Sequence, residues 1–261
     1  MNTFDANESL IPLNDKIHRD LRIKPSVLFE HANDQHIIPL MVDEVIDAAT
    51  EFPVVFVKDT ALGDFTLVAM MALEGGNNLY CGRLGGLGSF SANYCGNYVP
   101  LVLRLYPFSL VHTNAQGETD NIAPSGRMEV CIHNDSNVIS TTSGEALFTE
   151  TGEQTLFLQQ QTQLLLKHQE QQQLTQAFIT LLLTNNLLQV QKVDVQISST
   201  KKYSLKGIYS IDQTALDKMS VDTWTGLRDS GALQVVYAQI ASLKQLNRLA
   251  RLTANLQPAD E

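Results

Sequence analysis

Hydrophobic and polar positions change period several times along the chain, and each change predicts an element. HIIPLMV (36–42) is a short apolar run, and its Pro39 assigns it to a sheet edge or a bulge because proline cannot donate into a ladder. DEVIDAATEF (43–52) spaces Val45, Ile46 and Ala49 along a helical face. Asp43 and Glu44 fall in the first turn, where the helix dipole favours acids, and Pro53 stops the helix. VVFVKD (54–59) and FTLVAMMALE (65–74) predict two strands joined by a turn at Leu62-Gly63-Asp64. RMEVCIHND (127–135) alternates Met128, Val130 and Ile132 against Glu129, Cys131 and His133, the period of a half-buried strand.

Beyond residue 154 the texture becomes helical. Nine glutamines lie between 159 and 176, interleaved with Leu164, Leu165, Leu166 and Leu174, and Phe178, Leu181 and Leu182 follow. Straight-chain Gln and Leu favour helix, so a long helix over about 155–186 is predicted, ending at Asn185-Asn186. VQKVDVQISS (190–199) and YSLKGIYSID (203–212) predict an antiparallel pair, and Thr214 with Asp217 resembles a capping box. VDTWTGLRDSG (221–231) predicts a helix closed by Gly231. A last helix over about 232–254 carries a stripe through Leu233, Val236, Ile240, Leu243, Leu246, Leu249 and Leu252. Gln239, Lys244, Gln245 and Arg251 stand on its opposite, polar face. The stripe is expected to pack on the 155–186 helix or on a second copy of the chain. The fold class is α+β, with a β-rich N-terminal half and a helical C-terminal half. A flexible arm is expected over 1–20, one domain over 21–254 and a disordered tail over 255–261.

Composition narrows the chemistry. The net charge of −10 repels phosphate backbones, which argues against nucleic acid as a partner. The basic clusters are small: Lys201-Lys202 and the face bearing Lys244, Arg248 and Arg251. Three cysteines without a C-x-x-C motif give no disulfide framework and fit a reducing cytoplasm. The first residues read as no signal peptide, and no apolar window is long enough to span a membrane. GRLGGLGSF (82–90) matches neither phosphate-loop pattern and reads as a flexible surface loop or, if functional, as a binding loop or lid. A metal site would need His112, His133 and a carboxylate to converge. No nucleophile elbow is present, so no catalytic residue, metal ligand or cofactor is assigned.

The run NYVPLVLRLYPFSLV (97–111) carries one charge, Arg104, between Pro100 and Pro107. Read as extended, it aims Leu101, Leu103 and Leu105 one way and Val102, Arg104 and Tyr106 the other. Arg104 then either pairs with a carboxylate inside the fold or anchors a ligand anion beside the glycine loop. The candidate ligand contacts are Arg104, Tyr98, Tyr106, Asn78, Gly85 and Gly86.

Several fragments in order carry a resemblance. They are Pro39 with Glu44, FPVVFV (52–57), EGGNNLY (74–80), YVPLVLRLYPFSL (98–110), GEALFTETGE (144–153) and LRDSGALQVVYAQIASLKQLNRL (227–249). The set resembles the SapC-like proteins of bacteria over about residues 20–252. Two departures stand out: Gln239 replaces the histidine of the family's Tyr-Ala-His, and the glycine loop is expanded. Together with the absence of a catalytic constellation and the cysteine usage, the resemblance leads to the expectation of a cytoplasmic accessory or binding protein of the SapC type without catalysis. By the family's name such a protein is linked to surface layers and export, and by gene association to TonB-dependent uptake. The alternative it implies is a metal-dependent, oxygenase-like enzyme working with cupin-like or halogenase-like partners.

Overall fold

The structure is a computed structural model that describes residues 10–24, 29–81, 94–113, 127–134, 136–197 and 201–255. In chain order the elements are β1 (Leu10–Pro12), α1 (Asp15–His18), β2 (Arg22–Ile23), β3 (Ile37–Pro39), α2 (Val45–Ala48), β4 (Val54–Lys58) and β5 (Phe65–Met70). There follow α3 (Leu101–Leu105), β6 (Phe108–Thr113), β7 (Arg127–His133), β8 (Ile139–Ser140), β9 (Glu145–Ala146) and α4 (Leu156–Thr184). Last come β10 (Leu188–Gln196), β11 (Lys202–Ile211), α5 (Gln213–Asp217), α6 (Val221–Asp229), α7 (Ala232–Ser242) and α8 (Leu246–Asn255). Strands dominate before residue 146 and helices after it, so the chain is α+β as its pattern predicts. Two compact units emerge, one of residues 27–102 with 171–261 and one of residues 2–26 with 103–170.

The first unit is built on an antiparallel sheet in the order β10-β11-β4-β5-β3. The predicted pair is β4 and β5, in register from Val54 opposite Ala69 to Lys58 opposite Phe65. The Asp59 carboxylate accepts the Ala61 and Leu62 N–H groups, and Gly63 takes a positive φ of 81°, open to glycine without strain. Pro39 lies on the edge strand β3, where its missing N–H breaks no ladder. Val54, Val55, Phe56, Leu67, Val68 and Ala69 are all buried, so this sheet centre is covered on both faces. The end of α4 is a Schellman motif: Asn186 is left-handed at φ 51°, its N–H donates to Leu183 O, and the Leu187 N–H donates to Leu182 O. Leu182 and Leu187 are both fully buried, which supplies the motif's apolar contact.

Two C-terminal readings need correction. The N-cap of α5 is Asp212, whose carboxylate accepts from the Thr214 and Ala215 amides, in place of a Thr214–Asp217 box. The last helix is α7 and α8 joined by a 3₁₀ turn at Leu243–Gln245. Within the chain, Leu233, Val236, Leu246 and Leu249 are buried, and α7 packs on α2, α6, β4 and β11. The buried part of the stripe therefore packs inside the chain, while Ile240, Leu243 and Leu252 stay half-buried.

The second unit holds a sheet in the order β1-β7-β6 and a smaller one in the order β8-β2-β9. Residues 10–20, where an arm was expected, form β1 against β7 and α1, which Asn14 caps. On β7 the alternation fails: Met128 is exposed, while Cys131, Ile132 and His133 are all buried, since both faces are covered at that end. The run 97–111 is likewise not one extended piece. It forms the helical turn α3 and then β6.

Candidate functional site

Two glutamates organise the first unit: Glu44, which the pattern assigns to a first helical turn, and Glu51, which the pattern does not single out. Glu44 ends a 3₁₀ turn (Val42–Glu44) ahead of α2, and Glu51 follows α2. Both are buried, at 5% and 2% exposure. Glu44 Oε2 accepts the Met41 N–H at 2.9 Å, while Oε1 accepts the Tyr98 hydroxyl and the Leu101 N–H, each at 2.7 Å. Glu51 Oε2 accepts the Asn97 and Tyr98 N–H groups at 2.6 and 2.9 Å. Glu51 Oε1 takes the Arg248 guanidinium of α8 at 2.8 Å. Residues 97–101 are thus held by two carboxylates through their own backbone. Glu44 acts as a remote N-cap for α3, which explains a helical turn just after Pro100.

An aromatic wall stands beside this pair. Tyr80 makes an edge contact with Phe52 at 4.7 Å and lies 6.2 Å from Tyr94, and the Arg248 guanidinium lies over the Tyr80 ring at 5.6 Å. Burial, the leading cause in each case, raises the Tyr80 and Tyr94 phenols well above their ordinary range and pushes the Cys81 thiol up to about 12. Burial also raises Glu44 above its ordinary value, outweighing the three donors that favour its anion. Burial thus keeps the two phenols and the Cys81 thiol in their neutral forms near neutrality.

The proposed ligand contacts separate. Asn78 is buried and locked: its amide donates to Ala32 O, and its carbonyl accepts the Tyr80 and Cys81 N–H groups. Tyr98 is committed to Glu44 through its hydroxyl. Arg104 and Tyr106 belong to the second unit. Tyr106 stacks on His133 at 5.8 Å, and Arg104 is exposed with no ion pair among the described residues, so the internal salt bridge expected for it is not formed. Gly85 and Gly86, with the whole loop 82–93, lie outside the described residues. His112 is opposite Met128 in the β6–β7 register whereas the His133 N–H reaches Pro107, so the two histidines sit at opposite ends of the hairpin, roughly 15 Å apart. They do not converge on a metal, and among the described residues no three ligating side chains do.

A second feature of the first unit is open and apolar. A groove of about 460 Å³ runs between α4, the 3₁₀ turn before α2 and the α6–α7 junction. Its α4 wall is Leu174, Ala177, Phe178 and Leu181, and Ala232 and Val235 of α7 face it. Val42 and Asp43 lie on its rim, where the Val42 N–H is held by Thr175 Oγ1. Leu174 is 55% exposed, a large apolar side chain left in water. Among the described residues no helix is long and apolar enough to cross a membrane.

The fold and its site thus define an α+β protein with an internal carboxylate clamp and an open apolar groove. The chain belongs to the SapC family, whose profile matches residues 13–249. Comparison with curated proteins and with solved structures gives no match.

Proposed function

We propose that this SapC-family chain is an accessory protein that binds rather than converts its partner, and that the α4–α7 groove is where it does so. The observation that carries the reading is the α4 wall: Leu174, Ala177, Phe178 and Leu181 fall at i, i+3, i+4 and i+7 and line an open groove. That is the spacing with which helices pack side by side, and helix-in-groove recognition uses it. The occupant is an amphipathic helix of a partner protein. A basic one is favoured by Asp43 on the rim and by the net charge of −10. Binding without catalysis is supported by the use of Glu44, Glu51, Asn78 and Arg248 inside the fold. The family name directs the search for that partner to surface-layer or export systems, and the gene association to TonB-dependent uptake.

The test is fluorescence anisotropy with a labelled Leu/Lys amphipathic peptide and a scrambled peptide of the same composition, with laurate as competitor. The amphipathic peptide should bind and the scrambled one should not. Leu174→Glu on the exposed face should weaken binding at least ~10-fold, the loss expected for one buried leucine. Equal binding of both peptides, or an unaffected Leu174→Glu variant, would overturn the reading. Saturation by laurate with no peptide binding would assign the groove to a lipid instead.

A further inference from the structure

We infer that Cys81 and Cys95 form a redox site, a thiol pair that closes reversibly to a disulfide by exchange with a small-molecule disulfide. The inference is independent of the groove. The Cys95 N–H donates to Tyr80 O at 2.9 Å, so the carbonyl attached to Cys81's own nitrogen is bonded to the backbone of Cys95. With standard covalent geometry that bond holds the two Cα atoms within about 7 Å, the outer limit for a disulfide. Both backbones are pinned there. The Cys81 N–H donates to Asn78 Oδ1, itself anchored to Ala32, and two residues beyond Cys95 the Glu51 carboxylate holds the Asn97 and Tyr98 amides. The thiols are also close enough for Cys95 to act on the ionisation of Cys81. All three cysteines are unbridged, and Cys131 is buried in the second unit, which makes it an internal control.

The two thiols differ, which orders the steps. Cys95 is half-exposed while Cys81 is buried and hard to ionise. The Cys95 thiolate attacks one sulfur of the small disulfide, breaking its S–S bond and expelling one thiolate. Cys81 then gives up its proton and attacks Cys95 Sγ, forming the protein disulfide and expelling the second thiolate, and its burial makes this the slow step. Two protein thiols are oxidised, one small disulfide is reduced to two thiols, and the two cysteine protons pass to the leaving thiolates. The closed ring constrains the unfolded chain, so the oxidised protein should melt higher by about 5–10 °C.

Full-length protein is equilibrated natively with mixtures of reduced and oxidised glutathione, quenched with N-ethylmaleimide, digested and mapped without reduction. A peptide linking Cys81 to Cys95 is expected, with Cys131 alkylated throughout. Cys81→Ser, or Cys81→Ala if the first folds poorly, should stop the reaction at a glutathione adduct on Cys95. Cys95→Ser should carry no adduct at Cys81. Separate alkylation of Cys81 and Cys95 at every glutathione ratio would overturn the inference, as would cross-linking of Cys131 in equal yield or failure of both Cys81 variants to trap the adduct.

Discussion

Replacing Arg248 with alanine removes the guanidinium that bonds a carboxylate only 2% exposed. An unpaired charge in that setting is costly, although the arginine itself is about one-third exposed, so urea unfolding should show a loss of about 2–4 kcal/mol. Arg248→Lys should recover only part of it, because an ammonium keeps the charge and loses the planar contact with Tyr80. Glu44 gives a different signature. Its folded value is raised, so the native state holds its proton more tightly than the unfolded chain does. The contribution of Glu44 to stability is therefore greatest in acid and declines as pH rises from the ordinary value of 4.5 through the raised one. Glu44→Gln should flatten that part of a stability–pH curve measured by urea titration. Arg104→Ala, by contrast, should change stability by less than about 0.5 kcal/mol, since the side chain is exposed and makes no ion pair among the described residues.

At the scale of elements, α7 is joined to the sheet by two buried side chains, Ser242, whose Oγ accepts the Val54 N–H at 3.0 Å, and Gln239. The Gln239 Nε2 donates to Val54 O at 2.8 Å, and its Oε1 accepts the Ile211 N–H at 3.1 Å, so one buried side chain ties β4 to β11. Placing Gln239 on the polar face of the last helix was an error, and the reason is physical: its partners are main-chain groups about 185 and 28 residues away, which no helical period reveals. Gln239→Leu should cost about 1–3 kcal/mol by orphaning them. Gln239→His gives the Tyr-Ala-His expected from the resemblance and, as a neutral ring, can still donate and accept. Burial would hold that ring below the usual histidine value near 6.5, so stability measured by thermal melting should fall as pH drops through about 6. The β4–β5 pair, α4 and the Gly231 boundary were legible because each is written in neighbouring residues: β-branched runs, a Leu/Gln period, a glycine after Ser230. Glu44, Glu51 and Arg248 were not, because their partners are backbone amides and side chains remote in sequence. Arg248 falls with Lys244 and Arg251 in a small basic cluster, and nothing in that spacing shows that it alone turns inward to Glu51.

Across the whole molecule, Leu233, Leu246 and Leu249 of the last helix serve the interior. Leu249 is fully buried, so Leu249→Asp should cost the soluble fold, with soluble yield and circular dichroism falling together. A folded variant that sediments at a lower mass than wild type would identify a subunit seam instead. The carboxylate clamp has one more consequence, for how the sequence can drift. Glu44 and Glu51 receive main-chain N–H groups from positions 97, 98 and 101, and every residue except proline offers that donor. The side chains at Asn97 and Leu101 are therefore released from hydrogen-bond selection, while the two receiving carboxylates are not. A saturation library scored for soluble expression should accept many residues at 97, reject proline there, and accept very few at 44 and 51.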